Sequence, residues 1–245
     1  MTEILQWTTL IVCAVATLVR IPSTLQGRNR SLFVIFLLAT AAAALSMGPF
    51  YLAIDRAVGG INIANVLLRL IVFATLFLVA LRVSRAFGAA DAYRLISGRF
   101  GLAMLGLFSA ALVTIFLAMD SSGSSLGLAE VGGTSARNAA LLPFYWAVAR
   151  GYPVYVSLAL LPCLLRAANS RLPSLVRTGA SLMAAGAVAT TAGLVLEFTG
   201  PAFTLPRLVV NNGAVVFYVL GLGMVWLARV RATGFRAPGT SSTER

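Results

Sequence analysis

The chain has 245 residues, 59% of them hydrophobic and 11% charged, with a formal net charge of +12 and a mean hydropathy of +0.92. A soluble domain carries about 25% charged residues, so this composition excludes a water-soluble globule. All 19 basic residues are arginine, and the chain contains neither Lys nor His. That excludes Schiff-base lysine chemistry, imidazole proton relays and histidine-held zinc or haem. An apolar chain has almost no polar surface on which to present +12 to a nucleic acid, so the placement of the arginines matters more than their sum.

A membrane helix needs about 20 mostly apolar residues to cross the hydrocarbon layer. Seven stretches qualify, near 3–20, 31–54, 61–82, 100–118, 139–165, 175–198 and 206–228. Met1-Thr2-Glu3 supplies no basic leader and no small-x-small cleavage site follows the first stretch, which therefore reads as an uncleaved helix. Arginines mark alternate connections: Arg20, Arg28 and Arg30; Arg82, Arg85, Arg94 and Arg99; Arg166, Arg171 and Arg177; then Arg229, Arg231, Arg236 and Arg245. The opposite connections hold only Arg56, Arg137 and Arg207. The positive-inside rule then predicts an all-α integral membrane protein of seven transmembrane helices, N-terminus outside and C-terminus cytoplasmic, in the cytoplasmic membrane.

Residues 1–230 read as one transmembrane domain and 231–245 as a short disordered cytoplasmic tail, too short for an output domain. The Ser- and Gly-rich connection 119–137 reads as a mobile surface loop. Cys13 and Cys163 fall inside spans, where a thiol packs as a small apolar group. Without histidine they make no metal site, and no cofactor is implied.

Polar groups inside a bilayer are costly and each needs a reason. Asn62, Asn65 and Arg69 stand at i, i+3 and i+7, on one face of the third helix. Arg69 would lie roughly 10–12 Å below the outer rim at 1.5 Å per residue. Arg150 falls near the middle of the fifth helix, and Asn211 and Asn212 enter early in the seventh. Asp55 and Glu197 close the second and sixth helices at their outer ends. One reading makes Asn62, Asn65, Arg69, Arg150, Asn211 and Asn212 an outward-opening polar pocket, since guanidinium forks suit carboxylate or phosphate. Asp55 and Glu197 would then be counter-ions or proton-coupling acids. The plainer reading pairs Arg69 with one of those acids and uses the asparagines as packing glue.

The fifth helix holds Pro143, Pro153 and Pro162. Gly151 and Pro153, next to Arg150, mark either a fixed kink or a moving hinge. The runs Ala41–Ala44, Ala184–Ala187 and Gly221-Leu222-Gly223 suit close helix packing. Gly59-Gly60 reads as a tight turn, because no strand-glycine-helix context makes it a phosphate cradle.

Helices 1–3 and 5–7 show a faint parallel. Arg20 and Arg166 end the first member of each set, Asp55 and Glu197 the second, and asparagines open the third. This admits a 3+1+3 arrangement like that of small seven-helix sugar transporters, although their proline-glutamine signature is missing. The run Gly48-Pro49-Phe50-Tyr51, Ile54-Asp55-Arg56 and Gly59-Gly60-Ile61-Asn62-Ile63-Ala64-Asn65 resembles the second and third helices of an uncharacterised actinobacterial family of multi-pass membrane proteins described as transporters. The stretch 171–179, Arg-Leu-Pro-Ser-Leu-Val-Arg-Thr-Gly, is similar in style. Members of that family continue into a cytoplasmic C-terminal region, so the resemblance is to a short form. It implies a bacterial transporter but carries no mechanism.

Three functions remain open from the residues. One is a small transporter or ligand-binding sensor for an anionic or amphipathic molecule. Another is an intramembrane acid-base enzyme acting on an isoprenoid or lipid through Asp55 and Glu197. The third is a signalling or structural subunit, pairing with another membrane protein or with its own copy.

Overall fold

A computed structural model of the chain describes residues 2–25, 30–120, 128, 131–197 and 204–234. Among the described residues there is no strand; α-helices dominate, with a 3-10 turn at Val131–Gly133. Among the described residues five helices are long and apolar enough to cross a membrane. They are α5 (Ile63–Ala86), α7 (Arg99–Ala118), α8 (Ala136–Ala168), α9 (Ser174–Glu197) and α10 (Thr204–Gly234). The protein is therefore a multi-pass membrane protein with five such helices.

The remaining two expected spans are less regular. The apolar run 31–54 is divided into α3 (Arg30–Leu45) and α4 (Gly48–Ala57), bent by 92°. Met47 between them is extended, and proline occupies the first turn of α4. Proline fits a first turn because its missing N–H has no helical partner there, whereas inside a helix it breaks the ladder. Counting the bent pair as one span raises the number to six. The first apolar stretch forms α1 (Thr2–Leu18), which at 17 residues is shorter than the others. A five-residue helix, α2 (Ile21–Leu25), follows it.

The arginine-rich segment between α5 and α7 is itself partly helical. Helix α6 (Ala90–Ser97) buries Ala92 and Ile96, one turn apart, and exposes its other face. Arg85 donates to the Tyr93 hydroxyl at 2.8 Å, and the Tyr155 hydroxyl donates to the Leu95 carbonyl, tying α6 to α5 and α8. Such a short amphipathic helix is invisible to a search for 20-residue apolar runs.

The described residues of the connection 119–137 pack against the bundle. Leu128 and Val131 are buried with Leu112, Phe116, Met119 and Tyr145. Asn138 donates to the Asp120 carbonyl and to the Thr134 hydroxyl, both at 2.7 Å, and accepts from the Asp120 N–H at 3.0 Å. The Ser135 hydroxyl caps α8 by accepting from the Asn138 N–H. Residues 121–127, 129 and 130 lie outside the described residues. Helix α10 runs on to Gly234, so the tail is helical at 231–234, while 235–245 lie outside the described residues.

Helix α8 is the post around which the bundle is built. It passes unbroken through Pro143, Pro153 and Pro162. Tyr152 is buried between Phe73 of α5 (ring centroids 5.0 Å apart) and Phe108 of α7 (6.3 Å). At Gly151 the approach is so close that a Cβ would stand 2.3 Å from the Phe108 ring. Helices α9 and α10 meet backbone to backbone. A Cβ on Gly179 would lie 2.8 Å from the Gly221 carbonyl, and one on Gly221 would lie 2.7 Å from the Gly179 carbonyl. Both cysteines are free and buried. Arg20, one of the charges that mark alternate connections, is only 2% exposed. Its guanidinium stacks 3.4 Å from the centre of the Trp226 ring.

Candidate functional site

The site begins at the corner between α4 and α5. Helix α4 ends in a turn through Gly59 (φ 112) and Gly60 (φ 69), backbone conformations that glycine adopts without penalty. The chain then enters α5 through Asn62, itself left-handed at φ 61. Asparagine is among the few non-glycine residues that tolerate this region. The Asp55 carboxylate is wholly buried here and accepts from the N–H groups of Asn62 (3.1 Å) and Ala64 (3.2 Å). These are donors that the start of a helix leaves without intrahelical partners, and a negative charge there also suits the helix dipole. The Tyr51 hydroxyl donates to Asn62 Oδ1 at 3.2 Å. One turn further along, Asn65 is buried, and its Oδ1 accepts from the Tyr145 hydroxyl at 2.8 Å.

Beyond this corner the helices part around a cavity of about 450 Å³. Its lining comes from α1, α3, α4, α5, α8, α9 and α10, leaving only α7 of the five long helices outside. Arg69 and Arg150 both line it, with Asn65, Asn211 and Asn212. The Arg69 guanidinium lies 4.8 Å from the centre of the Trp146 ring and beside the Tyr145 hydroxyl. A guanidinium over an indole face is a favourable cation–π arrangement. Arg150 donates to Asn211 Oδ1 at 2.8 Å. Asn212 donates to the Leu208 carbonyl at 3.0 Å, and the Thr9 hydroxyl approaches its Oδ1 at 3.2 Å. The described lining residues include two arginines and no Asp or Glu.

Five of the six residues read from the sequence as a ligand pocket are thus brought to one cavity. The sixth, Asn62, is buried in the corner and is not among the lining residues. Asp55, expected at the rim as a counter-ion or coupling acid, is wholly buried, and its carboxylate oxygens accept from the start of α5. For Glu197 the backbone ends α9, but its side chain lies outside what is described. Pro153 lines the cavity, whereas Gly151 packs against α7. Proline has no N–H to give the carbonyl four residues earlier. That carbonyl belongs to Ala149, another lining residue.

Several contributors were not legible in the sequence. Gly193 of α9 faces the Arg150–Asn211 pair: a Cβ there would lie 2.9 Å from Asn211 Oδ1 and 3.3 Å from the Arg150 guanidinium. Ala42 and Ala43, read as packing residues, line the cavity together with Ala39 and leave the room that larger side chains would fill. Gln6 and Thr9 join the lining from α1. No signal in the sequence distinguishes them from other polar residues near a helix end.

Two guanidiniums and four carboxamides around one open-sided cavity make a donor-rich chamber. Such a chamber can hold an anion through forked hydrogen bonds. Among the described residues no cluster of His, Cys, Asp and Glu could hold a metal ion. The fold and the chamber together define a multi-pass membrane protein, all-helical among the described residues, with a cavity that carries two arginines. Compared with protein-family models, curated proteins and solved structures, the chain matches none.

Proposed function

We propose that this protein is a small transporter or ligand-binding sensor of the cytoplasmic membrane, with an anion-binding cavity between Arg69 and Arg150. The reading takes seven passages: α1, the bent α3–α4 pair, α5, α7, α8, α9 and α10. The N-terminus is outside and the C-terminus cytoplasmic, supported by the 14 of 19 arginines that fall on alternate connections. In this orientation the asparagine-rich end of the cavity is the outer one. The observation that carries the reading is that two arginines far apart in sequence line a single cavity. A charged side chain at the centre of a membrane helix costs about 2.5–3.5 kcal/mol, so two facing one space suit a bound anion.

The intramembrane enzyme is the weaker reading. Asp55 would have to exchange protons, yet its oxygens already accept from two backbone N–H groups. A thermal-shift screen of the detergent-purified protein with dodecanoate, citrate and pyrophosphate tests the anion cavity. Any hit is then followed as uptake or binding in proteoliposomes. A lost charge-assisted hydrogen bond is worth about 1.5–3 kcal/mol, so Arg69→Gln and Arg150→Gln should each weaken the response about tenfold or more. If both variants respond as the wild type does, the cavity is not an anion site.

A further inference from the structure

The cavity changes character along its length. Arg69 and Asn211 stand near the starts of α5 and α10. Val79 follows Arg69 by ten residues, so it lies about 15 Å further along α5 at 1.5 Å per residue. Leu222 follows Asn211 by eleven, a similar drop. Between these levels the wall is formed by Val72, Leu76 and Val79 of α5 and by Val215, Val219 and Leu222 of α10. Ile35 and Ala39 of α3 close the same region.

Three polar side chains interrupt this apolar half, and each is already engaged. The Thr75 hydroxyl donates to the Ile71 carbonyl at 2.7 Å, and the Thr190 hydroxyl donates to the Gly186 carbonyl at 2.9 Å. The Tyr218 hydroxyl is bonded to Ser157 at 3.0 Å. A hydrophilic solute filling the whole chamber would leave its own polar groups against an apolar wall without hydrogen-bond partners, which is costly for each. An apolar tail has no such cost.

We infer that the ligand is a single-chain amphiphilic anion, a carboxylate or phosphate head on an unbranched apolar tail. The head sits between Arg69 and Arg150 and the tail runs toward Val79 and Leu222. An extended chain advances about 1.2 Å per bond, so the apolar half accommodates a tail of about a dozen carbons. The volume of about 450 Å³ falls within the range of pockets that enclose drug-sized ligands, roughly 300–1,000 Å³. Ala39 and Ala42 keep this space open where leucine or phenylalanine would close it.

This assignment rests on the anion cavity proposed above, and its test separates the two. The full-length protein in nanodiscs is titrated with butanoate, octanoate, dodecanoate, hexadecanoate, dodecyl phosphate and dodecanol, with binding referred to the free aqueous concentration. Affinity should rise about fourfold per methylene and level off near twelve carbons, with dodecanol at least tenfold weaker than dodecanoate. The two heads compared at equal tail length tell a carboxylate site from a phosphate site. Val79→Phe should weaken dodecanoate at least tenfold while leaving octanoate within twofold. The ratio of variant to wild type at each length is independent of how the probe partitions into lipid. If Val79→Phe fails to assemble, Ala39→Leu on the facing helix gives the same readout. Should butanoate bind as tightly as dodecanoate, or the floor variants shift every length equally, the tail assignment is overturned and the anion cavity stands. If none of the anions binds, the anion cavity itself falls. If dodecanol equals dodecanoate, the placement of the head at the arginines is wrong.

Discussion

Asp55→Ala removes two acceptors from a corner where water cannot replace them. The carboxylate is fully buried and takes the N–H groups of Asn62 and Ala64. Leaving a buried donor unsatisfied costs about 1–3 kcal/mol, so losing both is expected to destabilise the protein by about 2–6 kcal/mol. Asp55→Asn keeps one acceptor but turns an amide NH₂ toward a backbone N–H, and should cost about half as much. Unfolding of the detergent-solubilised protein by SDS titration measures the loss. Hydrogen exchange at the Asn62 and Ala64 amides locates it at the start of α5. The reasoning is refuted if Asp55→Ala costs less than about 1 kcal/mol and those amides stay protected. Equally damaging would be an Asp55→Asn variant of undiminished stability that had lost uptake or binding, since the acid would then be serving the ligand rather than the helix.

Two glycine substitutions separate packing from binding. Gly193→Ala presses closest on the ends of flexible side chains, Asn211 Oδ1 and the Arg150 guanidinium. Stability should fall by less than about 1 kcal/mol, while anion-induced stabilisation drops because the pair is displaced; unchanged ligand response would dissociate Gly193 from the site. Gly221→Ala meets the Gly179 carbonyl at 2.7 Å and the Met183 side chain at 2.6 Å, so the α9–α10 contact must open. The expected loss is about 1–3 kcal/mol or more, read by the same SDS titration, and a neutral result would mean that the two helices separate at little cost.

The fold was legible wherever local composition governs. Long apolar runs specify α5, α7, α8, α9 and α10, with ends within a few residues of the expected ones except at the C-terminal end of α10. The run 31–54 is apolar throughout, but hydropathy does not register Gly48-Pro49, where the helix breaks and bends by 92°. Helix α6 escaped because its apolar stripe is only two buried residues long.

The cavity was half legible. Arg69, Arg150, Asn65, Asn211 and Asn212 stand out because a polar group in an apolar helix is costly and therefore conspicuous. Asp55 and Asn62 stand out by the same criterion, yet neither is among the lining residues, and Asp55 accepts from backbone N–H groups. Whether a buried polar side chain answers a ligand or a backbone N–H depends on the next few ångströms of the chain. The turn through Gly59 and Gly60 brings the Asp55 carboxylate to the start of α5, and spacing alone does not reveal that.

The amino-acid sequence, through composition and the placement of its arginines, sets the solvent this protein needs and which segments are helical in it. These follow from the transfer energies of single residues, which do not depend on what lies beside them. Tertiary packing alone arranged the rest: two distant arginines facing one cavity, an aspartate turned into a helix cap, and alanines left as empty space rather than contact. Each of these depends on which helix faces which, and that is settled by close approaches such as Gly179 to Gly221 and Gly193 to Asn211.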